Sequence, residues 1–299
     1  MKLTERLHRA RFNWEVQAMR DTAPLRVGDK DFTALSMVQH RDVLPYLLAL
    51  KSFASHMRPA RVTLVADPTL DRADRAMLRA HVPHIEIREA AEFQRDGIPK
   101  GGCWERLSAI SQYAQHGYVV QLDADTVALD DLAAVRQAIQ GQVSFTLGTE
   151  DVQPILSCSV TAADAQKRVD ADAGVQLLAE ASLDRFDPMG QFRYARGCAG
   201  FAGFAKGAIH PELVMDVSQR MSAILGDKWV AWGTEQFASN LLVCSSPGGR
   251  LLPHPDYCSP SRVKPKTVFL HFIGYLRFRD GLYARTAHRL GRELATSHT

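Results

Sequence analysis

The alternation of short apolar runs with longer segments of helical period constrains the fold of this chain more than any other feature. Four apolar runs have the length of buried strands, at residues 32–38, 61–66, 84–88 and 118–122. Segments with helical spacing of apolar residues separate them, at residues 43–56, 70–80 and 103–116. This spacing predicts βαβ units and an α/β fold with a mostly parallel central sheet flanked by helices. Ligands of such sheets bind beyond the carboxyl ends of the strands.

The regular alternation weakens after residue 142. Later strands are predicted at residues 143–147 and 267–272, and later helices at residues 211–225 and 233–243. The N-terminal residues 3–20 have the pattern of an amphipathic helix, with Leu3, Leu7, Phe12 and Val16 on one side. The chain is therefore predicted to comprise an N-terminal helical extension and connector (1–30), one α/β domain (31–278) and a basic C-terminal helix (279–299).

Composition excludes several classes of protein. The 299 residues are 46% hydrophobic, and their net charge of +3 is too weak to predict nucleic acid as a partner. No stretch approaches the roughly 18 uncharged apolar residues of a membrane span, and the N-terminus lacks the apolar core of a signal peptide. The five cysteines are scattered without a C-x-x-C pair, which argues against a disulfide framework or a zinc ribbon and favours a cytoplasmic location.

Two carboxylates directly follow the fourth predicted strand. Asp123 and Asp125 lie at i and i+2, so on an extended segment both side chains can address one ion. Hard oxygen ligands suit Mg²⁺ or Mn²⁺, ions that commonly bridge substrate phosphates. The alternative is a solvated loop whose acidic residues cap a following helix.

Two later segments also carry chemistry. His271 ends an apolar run and offers a possible metal ligand, Gly274 lets the backbone approach a ligand, and Arg277 suits a diphosphate. The alternative for this segment is a half-buried histidine and a surface arginine. Glu235 and Gln236 could bind sugar hydroxyls, or they could belong to an ordinary helix start capped by Thr234.

Taken in order, these segments resemble the GT-A glycosyltransferases, and most closely glycosyltransferase family 8. That family includes bacterial lipopolysaccharide galactosyl- and glucosyltransferases and glycogenin. Six segments carry the resemblance: an opening strand and helix ending near residues 51–52 that resemble the family's first βα unit, an aromatic-x-Arg-Leu segment at 104–107, a D-x-D strand end at 122–127, a small-residue strand around Gly200, a D-Q-x-x-x-N helix start at 235–240, and an H-x-x-G-x-x-K closing motif at 271–277.

The resemblance implies a single Rossmann-like GT-A domain that transfers a hexose from a nucleotide diphosphate sugar, expected to be a UDP-sugar, to an acceptor hydroxyl. It also implies retention of configuration and a role in cell-surface polysaccharide or lipopolysaccharide synthesis. The implied cofactor is Mn²⁺ (or Mg²⁺), held by Asp123, Asp125 and His271. The implied donor-binding residues are Gln39, Arg41, Arg106, Asp123, Gly200, Gly274 and Arg277.

Glu235 and Gln236 are the catalytic candidates that the resemblance implies. The residue matching Gln236 lies at the β face of the sugar in the family, but an amide is a poor nucleophile. Front-face attack assisted by the leaving phosphate is therefore favoured, with Glu235 binding sugar hydroxyls. Glu235 as the nucleophile is the alternative.

The chain departs from the family pattern at several positions. The closing lysine is Arg277, an expected asparagine is Cys198, and residues 39–42 lack the acidic residue expected for the nucleotide. These departures leave two other functions open. One is a sugar nucleotidyltransferase, and the other is a non-catalytic GT-A-fold protein that binds a sugar or a partner.

The acceptor is expected to be a saccharide or a glycolipid, bound by residues 150–196 and the C-terminal tail. The tail carries a cluster of arginines and, at helical spacing, the apolar residues Tyr283, Ala287, Leu290 and Leu294. A basic amphipathic helix predicts peripheral contact with the inner face of the plasma membrane. The alternative is a terminal helix packed on the domain with a solvated basic face.

Overall fold

The computed structural model describes residues 3–149, 153–274 and 276–296. Its α-helices are α1 (Leu3–Glu15), α2 (Val43–Met57), α3 (Arg72–His81), α4 (Trp104–Tyr113), α5 (Ala133–Gln140), α6 (Cys158–Gln166), α7 (Val175–Glu180), α8 (Leu183–Phe186), α9 (Pro211–Leu225), α10 (Thr234–Ser245) and α11 (Leu282–Thr296). Short 3₁₀ helices lie at Val16–Asp21, His40–Asp42, Ala90–Phe93, Gly226–Val230 and Pro260–Arg262.

The strands are β1 (Lys30–Val38), β2 (Pro59–Ala66), β3 (Ile85–Glu89), β4 (Tyr118–Leu122), β5 (Thr126–Ala128), β6 (Phe145–Gly148), β7 (Leu156–Ser157), β8 (Arg193–Tyr194), β9 (Gly197–Phe204), β10 (Arg250–Leu251), β11 (Tyr257–Cys258) and β12 (Phe269–His271). Every predicted strand and helix corresponds to one of these elements. Strands β5, β7, β8, β10 and β11 were not predicted, because two or three residues are too few to show a period.

The main sheet has seven strands in the order β10-β6-β9-β4-β1-β2-β3. Strand β2 runs parallel to both β1 and β3, with Ser36 opposite Leu64 in the first pair. Strands β6 and β9 are antiparallel. The predicted α/β fold with a mostly parallel sheet flanked by helices is thus confirmed.

The chain divides into two compact units, each built from separate stretches of sequence. The first unit comprises Met1–Glu89, Leu122–Arg136 and Pro253–Thr299, and the second comprises Ala90–Gln121 and Gln137–Leu252. Both terminal helices belong to the first unit. The domain boundaries predicted at residues 30 and 278 remain a prediction.

In the first unit, α2 forms the centre of the core and the terminal helices pack together. Leu47, Leu48 and Phe53 of α2 are fully buried. The ring of Phe12 in α1 stacks on Tyr283 of α11, with their centroids 3.8 Å apart. The prediction that Leu3, Leu7, Phe12 and Val16 lie on one side of the helix is wrong, since Phe12 and Val16 are buried whereas Leu3 and Leu7 are exposed. Phe12 supplies the contact with α11, and residues 3 and 7 fall on a different face of the helix.

In the second unit, α10 holds the first residue of β9. The Asn240 side chain donates to the carbonyl of Gly197 (2.9 Å) and accepts from Thr146 (3.1 Å). A Cβ atom on Gly197 would lie 2.7 Å from Asn240 Oδ1, so this close approach requires glycine. All eight residues of β9 are buried.

Candidate functional site

Asp123, Asp125 and His271 form a cluster in the first unit. Their ligand atoms lie within 4.8 Å of one another. Strand pairing produces this proximity, because β5 and β12 are antiparallel and His271 lies opposite Thr126. The Phe272 amide also donates to the carbonyl of Asp125 at 2.8 Å, which fixes the Asp125 backbone beside His271.

Asp125 is held by both His271 and Arg277. It is 6% exposed, and its Oδ1 lies 3.1 Å from His271 Nε2. Its other oxygen accepts a hydrogen bond from the guanidinium of Arg277. Burial alone would raise the pKa of the Asp125 carboxyl, but the charges and hydrogen bonds of His271 and Arg277 hold this pKa well below its usual range. Asp125 is therefore an ionised carboxylate at neutral pH.

Arg277 is positioned by the backbone as well as by carboxylates. Its Nε donates to the carbonyl of Phe272 at 3.3 Å, and its Nη1 lies 3.8 Å from Asp42 Oδ1. Burial acts to lower the pKa of Arg277, but the neighbouring Asp125 carboxylate outweighs this and raises it. A fixed positive charge thus lies beside the two aspartates and the histidine.

The donor set of the cluster suits a divalent cation. Two carboxylates and one imidazole offer two hard oxygens and a nitrogen, which Mg²⁺ and Mn²⁺ accept. The ionised state of Asp125 and the mutual distance of the three groups agree with that use. The residues present therefore fit a divalent ion.

Asp42 is a site residue that the sequence analysis did not single out. Its Oδ2 accepts from Gln39 Nε2 at 2.8 Å and lies 3.7 Å from Arg41 Nε. Residues 39–42 were expected to lack the family's acidic residue for the nucleotide, and Asp42 instead supplies a carboxylate that faces Arg277. In the sequence, Asp42 is only an aspartate immediately before α2. Its contact with Arg277 can be seen only in the folded chain.

A cleft of about 630 Å³ adjoins this cluster within the first unit. Gly274 and Arg277 line it, and so do Arg41 and the N-terminal residues Arg9 and Arg20. Its apolar and aromatic lining residues are Phe12, Val16, Val43, Leu44, Pro45, Met77, Phe278 and Tyr283, and its acidic ones are Asp42 and Asp74. A ligand that combines a flat or apolar part with negative charge fits this lining.

The second unit brings Arg106 and Glu235 together. Arg106 Nη2 lies 3.2 Å and 3.1 Å from the two carboxylate oxygens of Glu235, and both side chains are buried. Trp104 and Thr234 connect the same two helices, since the indole donates to the Thr234 hydroxyl at 3.0 Å. Thr234 is the first residue of α10 and does not cap the helix. The cap position is occupied by Gly233, whose backbone is in the left-handed conformation.

Gln236 and Gly200 also lie in the second unit. Gln236 is partly exposed, and its Oε1 is 3.8 Å from the Cys198 sulfur. Cys198 stands where the family resemblance led us to expect an asparagine, so a weak thiol donor contacts Gln236. Gly200 is buried within β9.

The predicted site residues thus form two groups. The first unit holds Gln39, Arg41, Asp123, Asp125, His271, Gly274 and Arg277. The second holds Arg106, Gly200, Glu235 and Gln236. Tyr275 of the closing motif lies outside the described residues.

A second group of possible metal ligands, His40, Asp71 and Asp74, has a structural explanation. Asp71 and Asp74 form a reciprocal capping box at the start of α3. His40 Nδ1 lies 2.7 Å from Asp74, and this hydrogen bond raises the pKa of His40. Asp71 and Asp74 therefore cap α3, and His40 is hydrogen-bonded to that cap.

The fold is similar to that of solved glycosyltransferases. An active-site glutamine-to-glutamate mutant of LgtC is 13% identical, with 89% of this chain and 97% of that chain covered and a TM-score of 0.52. WbbM, a bifunctional glycosyltransferase, is 13% identical with a TM-score of 0.51, and the match spans 84% of this chain but only 47% of that one. The galactosyltransferase LgtC with donor and acceptor sugar analogues is 14% identical, over 89% of this chain and 97% of that chain, with a TM-score of 0.48.

The sequence matches no protein-family model and no curated protein. At these identities the structural likeness establishes the fold. The fold that the motif order predicted is confirmed, and this chain has the fold of the GT-A glycosyltransferases.

Proposed function

We propose that this chain is a metal-dependent glycosyltransferase that moves a hexose from a nucleotide diphosphate sugar to an acceptor hydroxyl. One observation carries the proposal: on a glycosyltransferase fold, Asp123, Asp125 and His271 converge beside the fixed positive charge of Arg277. This is the chemistry that a departing nucleoside diphosphate needs, because negative charge develops on that group as the glycosidic bond breaks.

The residues of the first unit are proposed to bind the diphosphate. Asp123, Asp125 and His271 would hold Mn²⁺ or Mg²⁺, which when bound would neutralise charge on the phosphate oxygens. Arg277 is already oriented by Asp125 and Asp42, so it would meet the leaving group without reorganisation. Gly274 would let the backbone approach the phosphates. Gln39 and Arg41 would contact the nucleoside.

The residues of the second unit are proposed to bind the sugar. Both carboxylate oxygens of Glu235 are paired with Arg106, which makes them weaker nucleophiles, so Glu235 is proposed to bind sugar hydroxyls rather than to attack carbon. Gln236 carries an amide, which is a poor nucleophile. The proposed reaction is therefore retaining front-face transfer. The acceptor oxygen bonds to the anomeric carbon, the bond from that carbon to the diphosphate breaks, and the hydroxyl proton passes to the departing phosphate.

The donor and acceptor are proposed by class. The resemblance to family 8 supports a UDP-hexose donor, and LgtC, whose fold the chain shares, is a galactosyltransferase. The same resemblance supports a saccharide or glycolipid acceptor in cell-surface polysaccharide or lipopolysaccharide synthesis. A cytoplasmic location, expected from the scattered cysteines, is part of the proposal.

Nucleotide binding tests this function directly. Titration calorimetry would compare UDP, GDP and CMP, each with Mn²⁺ and with EDTA. We expect one nucleotide to bind with Mn²⁺ and binding to weaken at least on the order of tenfold in EDTA. Asp123→Asn should remove the metal dependence, whereas Asp130→Asn, which changes an exposed aspartate on the same segment, should not. Binding of no nucleotide, or equal binding in EDTA, would refute the proposed site.

A further inference from the structure

Helix α1 presents an apolar stripe to solvent. Leu3, Leu7 and Trp14 are 72%, 62% and 71% exposed. Their spacing places all three on one face, because 3.6 residues complete a helical turn. Single exposed apolar side chains are common on protein surfaces, but an aligned row that contains tryptophan indicates an interaction surface.

The opposite side of α1 is fixed to its own unit. Phe12 stacks on Tyr283 at 3.8 Å between ring centroids, and Glu15 accepts from His288 at 2.7 Å. The helix therefore cannot turn its stripe inward without losing both contacts. The stripe is a stable outward feature of the folded unit.

The charges around the stripe are predominantly positive. The exposed side chains of Arg6 and Arg11 in α1 flank it, one on each side. The neighbouring helix α11 turns its apolar side inward, burying Tyr283, Ala287, Leu290 and Leu294. Its exposed side carries three more arginines, Arg285, Arg289 and Arg292.

We propose that the outward face of α1, defined by Leu3, Leu7 and Trp14, docks on an anionic lipid surface. In this orientation the helix lies in the plane of the interface, its leucines and tryptophan enter the headgroup region, and the flanking arginines meet lipid phosphates. The arginines also argue against a second copy of the chain as the occupant, because two such faces would repel each other.

The cleft described above lies along a different face of α1. Arg9 and Asn13 line that cleft, roughly 140° and 100° around the helix from the stripe. Docking through the stripe therefore does not cover the cleft-lining residues of α1, and the docking proposal does not rest on the proposed function.

Vesicle flotation of the full chain tests the proposal. We expect the protein to float with vesicles of phosphatidylcholine and phosphatidylglycerol and to stay unbound with phosphatidylcholine alone. The double variant Leu7→Glu/Trp14→Glu should bind at least on the order of tenfold more weakly. Trp232→Glu is the matched control, since Trp232 is 77% exposed in the second unit, and it should bind like the wild type.

Three results would overturn the proposal. The first is wild-type binding by the Leu7→Glu/Trp14→Glu variant when circular dichroism shows it folded. The second is loss of flotation only in Arg289→Gln/Arg292→Gln, which would assign the contact to α11. The third is a wild-type dimer in solution that the Leu7→Glu/Trp14→Glu change dissociates, which would make the stripe an interface between copies. Nucleotide titration of the same variants should be unchanged, so failure here is separable from failure of the proposed function.

Discussion

At the scale of single residues, the aspartates after β4 were predictable and their partners were not. Asp123 and Asp125 stand directly after an uninterrupted apolar strand, and that pattern is local. The hydrogen bond from Arg277 to Asp125 joins residues 152 positions apart and depends on the pairing of β5 with β12. Asp42 was missed for the same reason, because its contact with Arg277 exists only in the folded chain.

Arg277 gives a kinetic prediction. Arg277→Lys keeps a positive charge but loses the planar fork that contacts both Asp125 and Asp42. We expect kcat for sugar transfer to fall on the order of tenfold in Arg277→Lys and on the order of a hundredfold in Arg277→Gln, with smaller changes in KM. Steady-state kinetics would measure both. An unchanged kcat in Arg277→Gln would remove Arg277 from the mechanism.

Lys51 gives a pH prediction that is independent of the site. Its ammonium is buried, and it donates to the Thr22 hydroxyl and the Ala23 carbonyl, both at 2.6 Å. Burial lowers the pKa of Lys51 from 10.5 to about 8. Between these values the unfolded chain binds more protons than the folded one, so the free energy of unfolding should rise with pH through this window.

Urea unfolding of the wild type and Lys51→Met, at about pH 7 and about pH 9.5, would test this rise. The wild type should gain stability over this interval relative to the variant, since other groups contribute equally to both proteins. Parallel pH dependence of the two proteins would show that the Lys51 pKa is not lowered.

At the scale of elements, long periodic segments were predicted well and short or irregular ones were not. Strand β4 and helix α9 have the bounds expected from their patterns. The region after residue 142, where the regular alternation weakens, contains the short helices α6, α7 and α8. Helices of this length carry too few turns to show a period, and tertiary packing determines where they form.

The pair Arg106 and Glu235 connects α4 with α10 and gives a stability prediction. Glu235→Leu leaves a guanidinium buried beside an apolar group, so the free energy of unfolding should fall by about 3–5 kcal/mol. For the double variant Arg106→Met/Glu235→Leu, the loss in free energy of unfolding should be much smaller than the sum of the losses of the two single variants. Asp216→Leu is the control, because it breaks an exposed pair with Arg220 (3.2 Å) and should cost less than about 1 kcal/mol. Additive losses in urea unfolding would contradict a coupled buried pair.

At the scale of the whole molecule, motif order predicted the fold, whereas the division into units could not be predicted. Each unit takes segments from distant parts of the sequence, so no shift in composition marks their limits. The motifs still identified residues in both units: Asp123, Asp125 and His271 in the first, and Glu235 and Gln236 in the second.

Among the described residues, none of the helices is both long enough and apolar enough to cross a membrane.

Release of nucleoside diphosphate from a sugar donor tests the central claim most directly. The assay would offer UDP-, GDP- and CMP-linked hexoses to the wild type with Mn²⁺ and with EDTA, beside Asp123→Asn and Asp130→Asn. We expect one donor to be consumed with Mn²⁺ only, at a rate that Asp123→Asn lowers on the order of a hundredfold and Asp130→Asn leaves unchanged. Consumption that is insensitive to EDTA and to Asp123→Asn, or no consumption of any donor, would contradict a metal-dependent glycosyltransferase.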